Sequence, residues 1–139
     1  MAALDTNRDL VRRHLLEGVS GHNVDIYDQI MVPDYRLHVT MQRDFLKGGR
    51  TGYKRGLERF WRAFPDMRIE LLDLVAEGDR VVAHYIERGT NTGEWNGAAP
   101  TGRVYEKHGF AMYTVRGGQL VEAWVQEDQA GFARQLGLG

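Results

Sequence analysis

The stretch YKRGLERFWRAFPDMRIEL, residues 53–71, decides the fold because its hydrophobic period changes at Pro65. Before the proline, five apolar residues recur at helical spacing and form one wide face: Tyr53, Leu57, Phe60, Trp61 and Phe64. After it, Met67, Ile69 and Leu71 alternate with charged residues, which is typical of a half-buried strand. The stretch therefore predicts that a helix ends at Pro65 and that a sheet follows.

Upstream, the sequence predicts two more helices and one strand. The first helix covers residues 5–18, with an apolar stripe at helical spacing. The second is short, begins at the capping residue Asn23 and is stopped by Pro33. Residues 35–41 alternate as a strand, and a basic, glycine-rich loop at residues 47–50 leads into the third helix.

Downstream, the pattern indicates an antiparallel sheet. Four strands are predicted, at residues 67–71, 81–88, 104–115 and 120–126. Tight turns contain Gly78 and Gly117, a long loop covers residues 93–102, and residues 131–136 add one helical turn. Helices that come first and strands that come later predict an α+β fold. Three helices over a strongly curved sheet would enclose a cone with a pocket at its wide end.

Composition narrows the class of protein. The 139 residues suit one domain, residues 1–139, and 18 Lys+Arg against 19 Asp+Glu exclude a strongly cationic nucleic-acid binder. The absence of cysteine excludes disulfides, thiolate catalysis and cysteine-ligated metals. No apolar run reaches the length of a membrane helix, and the first residues do not resemble a signal peptide. We therefore expect a soluble, cytoplasmic protein that acts neither on nucleic acid nor at a membrane.

Five short motifs occur in an order and spacing that resemble one family. They are AFPD at 63–66, EGDRV at 77–81, GAAPTGR at 97–103, EAW at 122–124 and QLG at 135–137. From about residue 9 to residue 137 the chain resembles the SnoaL-like polyketide cyclases, a branch of the nuclear-transport-factor-2-like fold. The resemblance implies a cone-shaped barrel, a homodimer, a deep apolar pocket, and neither metal nor organic cofactor. It also implies closure of a polyketide ring by an intramolecular aldol step.

The residues that carry acid/base chemistry in that family are replaced here. By the resemblance, the catalytic aspartate falls on Val125, a strand histidine on Ala111 and a glutamine on Gly109, while a further family histidine falls on Asn91. A methyl group cannot move a proton. The resemblance therefore implies the scaffold without its usual acid and base.

Four other residues are candidates for that chemistry. His38 titrates near neutrality and would act as acid or base, although a half-exposed wall histidine fits the pattern as well. Tyr113 shares strand parity with Gly109 and Ala111, so it would point into the cavity and hold a carbonyl or enolate, unless it is a core tyrosine. Glu127 shares parity with Val125 and would reach the cavity mouth. Asp128 is the fourth candidate, but it fits a helix cap better.

The predicted substrate-binding residues come from four parts of the chain. They are Leu57, Trp61 and Phe64 on the third helix, Tyr85 on a middle strand, Trp95 in the long loop, and Gly109, Ala111 and Val125 on the last two strands. The histidines show no metal-ligand spacing, so no metal site is expected.

Three functions remain open. The first is a cofactor-independent cyclase or isomerase that folds a polyketide-type intermediate for natural-product (antibiotic) biosynthesis. The second is a non-catalytic accessory protein that binds a hydrophobic small molecule, and the third is an epoxide-opening hydrolase of the same fold. In each case we expect a homodimer through the outer face of the sheet, where Val82, Ile86, Phe110 and Met112 would otherwise stay wet.

Overall fold

The computed structural model describes residues 2–39 and 48–138 of the chain. Thr40 and Met41 of the predicted first strand, and Lys47 of the predicted loop, lie outside the described residues.

Most of the helices precede most of the strands, as the sequence predicts. The helical elements are α1 (Ala2–Arg13), a π-helical segment (His14–Val19), a 3-10 turn (Val24–Ile26), α2 (Tyr27–Ile30), α3 (Gly49–Ala63) and α4 (Gln129–Leu136). The strands are β1 (Met31–Val39), β2 (Arg68–Glu77), β3 (Arg80–Thr90), β4 (Val104–Arg116) and β5 (Gln119–Glu127). The predicted α+β class is confirmed. The terminal helix is longer than the predicted single turn.

The sheet has the strand order β1-β5-β4-β3-β2. Strands β2 to β5 pair antiparallel with their neighbours, whereas β1 pairs parallel with β5. The expectation of a wholly antiparallel sheet is therefore wrong at one edge. Pairing is irregular between Met31 and Arg36, where Pro33 lies in an edge strand that tolerates a residue without a backbone donor.

The inner face of the sheet forms the core against the helices. Leu57 and Phe60 of α3 are buried there, and α4 adds Phe132, whose ring lies 4.7 Å from that of Tyr105 on β4. Apolar residues at helical spacing on α3 and at alternate positions on β3 and β4 meet in this layer, so burial of both faces drives the packing.

The outer face carries the apolar side chains that the sequence placed there. Phe110 is 53% exposed, and Val82, Ile86 and Met112 are half-buried. The ring of Phe110 stacks on His84 at 4.3 Å. In this single chain the face is thus a row of aromatic and aliphatic groups among charged ones.

Asp128 begins the last helix by accepting a hydrogen bond from the backbone N–H of Gly131 at 2.9 Å. We predict that Asp128→Ala lowers the free energy of unfolding by about 1 kcal/mol, because the first turn of α4 loses its cap. Chemical denaturation measures the change. Asp128→Asn is the matched control, since asparagine caps equally well; an equal loss in both variants would contradict the capping role.

Candidate functional site

A cavity of about 90 Å³ lies between the inner face of the sheet and the helices. Its walls are mostly apolar, with Leu15, Leu37, Leu57, Phe60 and Val125 among them. Two groups of polar side chains interrupt these walls. One group lies where the ends of β3, β4 and β5 meet, and the other lies beside the π-helical segment.

The first polar group is an ionic cluster around Lys107. This side chain is only 2% exposed, and its ammonium lies 3.3 Å from an oxygen of Glu127 and 3.5 Å from one of Glu87. Tyr105 donates a 2.5 Å hydrogen bond to Glu87, and Tyr85 donates one of 2.5 Å to Glu127. Each carboxylate is therefore shared between the same cation and its own tyrosine.

Burial and charge act in opposite directions in this cluster. Burial lowers the pKa of the Lys107 ammonium, but the carboxylates of Glu127 and Glu87 outweigh it and raise that pKa above its ordinary value. Burial raises the pKa of the Glu87 carboxyl above its ordinary value, although Lys107 opposes the shift. Lys107 consequently stays protonated and acts as a fixed positive charge.

Gly109 makes room for the contact between Tyr85 and Glu127. It pairs across the sheet with both residues, and a Cβ added to it would lie 2.8 Å from the Tyr85 ring and 2.9 Å from Cγ of Glu127. The space above the glycine is therefore filled by a phenol and a carboxylate. Tyr85 lines the cavity as expected, whereas Gly109 lies beneath these two side chains rather than in the wall.

The second polar group contains Tyr113, which lines the cavity as its strand parity predicts. Its side chain is buried, and burial raises the pKa of its phenol well above the ordinary value. The neutral phenol is an O–H donor in the cavity wall. Tyr35, Tyr53 and His14 line the same cavity.

His38 lies on the other side of the sheet. The alternation of β1 buries Tyr35 and Leu37 and turns His38 outward, where its side chain is 48% exposed. Its Nε2 lies 2.7 Å from an oxygen of Glu122, and its ring stacks on Trp124. The expectation that His38 works inside the pocket is therefore not met by its position.

Four other predicted lining residues lie outside the cavity wall. Phe64 is fully buried, and the rings of Phe64 and Trp95 lie 5.5 Å apart, so Trp95 belongs to the core rather than to a lid. Trp61 is half-buried and stacks on His22 at 4.5 Å. Ala111 is buried on the inner face beside the cavity but outside its wall. Of the predicted lining residues, Leu57, Tyr85 and Val125 form the wall.

Asn91, at the position of a family histidine, holds the long loop. Its side-chain amide donates to the carbonyl of Gly93 at 2.8 Å and accepts from the backbone N–H of Thr101 at 2.9 Å. These contacts close the loop at both ends. The residue has a structural part here and does not face the cavity.

Sequence reasoning missed Lys107, Glu87 and His14. The strand signal was present, because Lys107 shares parity with Gly109 and Tyr113, while Glu87 shares parity with Tyr85. Charged residues are almost never fully buried unless they are paired, so a lone charged residue on a strand is ordinarily assigned to the solvent. Ion pairs between neighbouring strands, which the sequence does not display, allow Lys107 and Glu87 to be buried instead.

Two wider features concern only residues 2–39 and 48–138. No helix in that part of the chain is both long and apolar enough to cross a membrane. The same residues contain no group of three or more histidine, aspartate or glutamate side chains placed to hold a metal ion.

The sequence model of the SnoaL-like polyketide cyclases matches residues 9–136, nearly the whole chain. The chain belongs to the SnoaL-like polyketide cyclase family. No curated protein sequence matches this chain.

Solved structures agree with this membership. TsrD from Streptomyces laurentii superposes with a TM-score of 0.84 at 24% identity, covering 97% of each chain, which shows the shared fold. IdmH from Streptomyces antibioticus, a candidate polyketide cyclase, has a TM-score of 0.78 at 27% identity, covering 94% of this chain and 98% of its own. A candidate polyketide cyclase from Acidithiobacillus ferrooxidans has a TM-score of 0.83 at 26% identity, covering 94% of each chain. The nuclear-transport-factor-2-like fold is thereby confirmed.

Removal of the buried cation tests the electrostatics of this family member. We predict that Lys107→Met lowers the free energy of unfolding at neutral pH by about 3–5 kcal/mol, because two buried carboxyls lose their counter-charge. The pKa of Glu87, already raised, then rises further. The folded state holds that proton more tightly than the unfolded state, so stability falls as pH rises from the ordinary carboxyl range through the folded-state value.

Urea unfolding at pH 5 and at pH 8 measures both effects. The variant should recover part of its loss at pH 5. Lys54→Met is the control, since Lys54 pairs with the largely exposed Asp28 at 3.0 Å, and we expect it to cost less than about 1 kcal/mol. An equal cost in the two variants would contradict a buried, tightly paired Lys107.

Proposed function

We propose that this chain is a cofactor-independent cyclase or isomerase of a polyketide-type carbonyl compound in natural-product biosynthesis, with Glu127 as its acid/base residue. One observation carries the proposal: the Glu127 carboxylate lines an apolar cavity, 2.5 Å from the Tyr85 hydroxyl and 3.3 Å from the Lys107 ammonium. Family membership and the likeness to IdmH, a candidate polyketide cyclase, support the choice of substrate class.

Glu127 would replace the family's missing aspartate from a position two residues further along β5. Val125 and Glu127 both line the cavity, because alternate residues of a strand share a face. The carboxylate is only 12% exposed, so water competes little with a bound substrate. A carboxylate in this setting has the reach and the charge that proton abstraction requires.

The proposed reaction is an intramolecular aldol closure. Glu127 takes a proton from a carbon conjugated to a carbonyl group, and the resulting enolate oxygen accepts a hydrogen bond from the Tyr113 hydroxyl. The enolate carbon forms a bond to a second carbonyl carbon of the same molecule, whose oxygen becomes an alkoxide. That alkoxide takes the proton from Glu127, which restores the carboxylate. An isomerase reaction returns the proton to a different carbon instead.

Lys107 supports this chemistry as a charge rather than as a nucleophile. Its raised pKa keeps the ammonium protonated, which disfavours attack on a carbonyl. A fixed cation beside Glu127 stabilises the carboxylate before it takes the proton and after it returns the proton.

Shape contributes as well. The cavity of about 90 Å³ is smaller than the roughly 150 Å³ that accommodates benzene in another protein, so it encloses a short acyl segment, and a ring enters only as the walls adjust. Apolar walls such as Leu57 and Val125 would hold a flexible chain in a folded form. Pre-orientation of reacting groups can supply up to about 7–11 kcal/mol in favourable cases.

Exchange of α-hydrogens for deuterium on small cyclic ketones, followed by proton NMR, tests the base directly. We predict that Glu127→Gln lowers the enzyme-catalysed exchange rate by about 10²–10⁴-fold, because the amide cannot accept the proton. Tyr113→Phe should lower it less, since one donor to the enolate is lost while the base remains.

Two controls separate chemistry from folding, with thermal melts checking each variant. His38→Ala and Asp128→Asn should keep the wild-type exchange rate, because neither side chain enters the cavity. Val125→Asp should not increase it, since a carboxylate placed in the apolar wall is desolvated and its pKa rises. Binding of the ketones without exchange in wild type would instead support the accessory-protein function.

We also propose that two chains associate through the outer face of the sheet. Phe110 is 53% exposed there, beside Val82, Ile86 and Met112. Positively and negatively charged side chains lie around these apolar groups. The face can therefore pack against a second copy of itself related by a two-fold axis. Phe110→Glu should shift the mass measured by light scattering at micromolar concentration from dimer to monomer. Glu77→Gln on an exposed strand end is the control, and a wild-type monomer would refute the dimer.

A further inference from the structure

The π-helical segment His14–Val19 brings an unassigned histidine to the cavity. His14 begins the segment, is 2% exposed and lines the cavity wall. The backbone N–H of Ser20 donates to the carbonyl of Leu15 at 2.9 Å, five residues earlier, as the wider π-turn requires. Single π-turns inside helices are frequent at functional sites, because they re-aim side chains at a cost that a purely structural helix would avoid.

One ring nitrogen of His14 is fixed by a phenol. Its Nδ1 lies 2.8 Å from the hydroxyl oxygen of Tyr27, whose ring packs edge-on against that of Tyr53 with centroids 5.3 Å apart. Gly18 makes room for Tyr27, since a Cβ at position 18 would lie 2.3 Å from the Tyr27 oxygen. The close approach of Tyr27 to the π-turn thus requires glycine at position 18.

The direction of these hydrogen bonds assigns the imidazole proton. The Tyr27 hydroxyl has two acceptors within reach, Nδ1 of the His14 ring and the backbone carbonyl of His14. The Tyr27 hydrogen is left for Nδ1 at 2.8 Å or for the His14 carbonyl at 3.4 Å, and the shorter contact favours Nδ1. A neutral imidazole whose Nδ1 accepts carries its hydrogen on Nε2.

Burial keeps this imidazole neutral. It lowers the pKa of His14 to about 3, so the ring is uncharged at physiological pH. Among the described residues none hydrogen-bonds to Nε2, and the ring lies edge-on to that of Tyr113 with centroids 5.2 Å apart. Two neutral donors, one N–H and one O–H, therefore lie side by side in the cavity wall.

We propose that His14 is a second catalytic donor: its Nε2–H and the Tyr113 hydroxyl together bind the substrate oxygen that becomes negatively charged. This inference rests on the proposed function for the identity of that oxygen. A neutral imidazole suits the part, because a donor already fixed by Tyr27 costs no reorganisation as charge develops. It also avoids the proton transfer that an imidazolium would make to an enolate.

The positions of the two polar groups then restrict the substrate. Glu127 pairs with Gly109 on β4, and Tyr113 lies four residues further along the same strand, which is about 13 Å of extended chain. Side chains reach inward from both ends, yet the base and the oxygen donors remain separate. A compound that fits both has its acidic carbon and its activated oxygen at a distance, as in a conjugated enone or a chain of alternating carbonyls.

The first test uses nitrogen NMR of the wild-type protein with ¹⁵N-labelled histidine. His14 should show an unprotonated Nδ1 and a protonated Nε2, with no change between pH 8 and pH 5. Assignment by His14→Gln identifies the signal among the five histidines. A hydrogen on Nδ1, or an imidazolium at neutral pH, would overturn the proposal without reference to any activity.

The second test measures the affinity of phenol, a one-ring mimic of an enol, by ligand-observed NMR. His14→Leu should weaken binding by up to about tenfold, the equivalent of one lost hydrogen bond. His14→Gln, which keeps an N–H donor, should recover part of that loss, and His38→Leu on the outer face of the sheet should leave the affinity unchanged. Equal affinity in wild type and His14→Leu would overturn the proposal.

The two proposals fail in different ways. If Glu127→Gln exchanges ketone hydrogens like wild type while His14→Leu still weakens phenol binding, the base is misassigned and the oxygen site stands. If Glu127→Gln loses the exchange activity while His14→Leu binds phenol as tightly as wild type, Glu127 remains the base and the assignment of His14 as a second donor is wrong.

Discussion

The interior of this molecule is organised around one buried cation. Lys107 lies between two carboxylates that would each be costly to bury alone, and each carboxylate is completed by a tyrosine hydroxyl. Its ammonium also lies 4.4 Å from the centre of the Phe132 ring, so α4 closes over the charge. Removing Lys107 would leave both buried carboxylates without their counter-charge. Three strands and the last helix therefore depend on the same ionic contact. Among the described residues, this contact also supplies the only charged groups that line the cavity.

This arrangement gives an apolar wall its polar groups without disturbing the fold. The resemblance implies that Val125, Ala111 and Gly109, on β5 and β4, stand at the family's aspartate, histidine and glutamine, while the polar residues of this chain stand at positions 85, 107 and 127 on β3, β4 and β5. The inner face keeps its alternation, because Lys107 has the strand parity of Gly109 and Glu127 that of Val125. A charged residue can thus stand two positions further along the same face of a strand.

Much of the fold was predictable because periodicity reports directly on burial. The change of period at Pro65 predicted α3 and the sheet after it, and parity alone predicted that Tyr113 and Val125 face the cavity. The position of His38 was predicted wrongly because strand parity does not say which face of the sheet is concave. The face is decided by how β1 pairs with β5, and that pairing is irregular near Pro33. Lys107 was missed because its partners lie on two other strands. Long-range pairing, which no local pattern encodes, decided each of these cases.

Gly109 decides which side chains this end of the cavity can hold. Any larger residue at position 109 meets the Tyr85 ring and the Glu127 side chain, so a glutamine there would need that volume for itself. A large residue at position 109 and the present pair of Tyr85 and Glu127 thus exclude each other at one point in space. Substitutions at 85, 109 and 127 should be strongly non-additive, since the effect of each depends on the volume that the other two leave free. A single hydrogen atom at one Cα therefore sets which polar groups can stand together in this part of the wall.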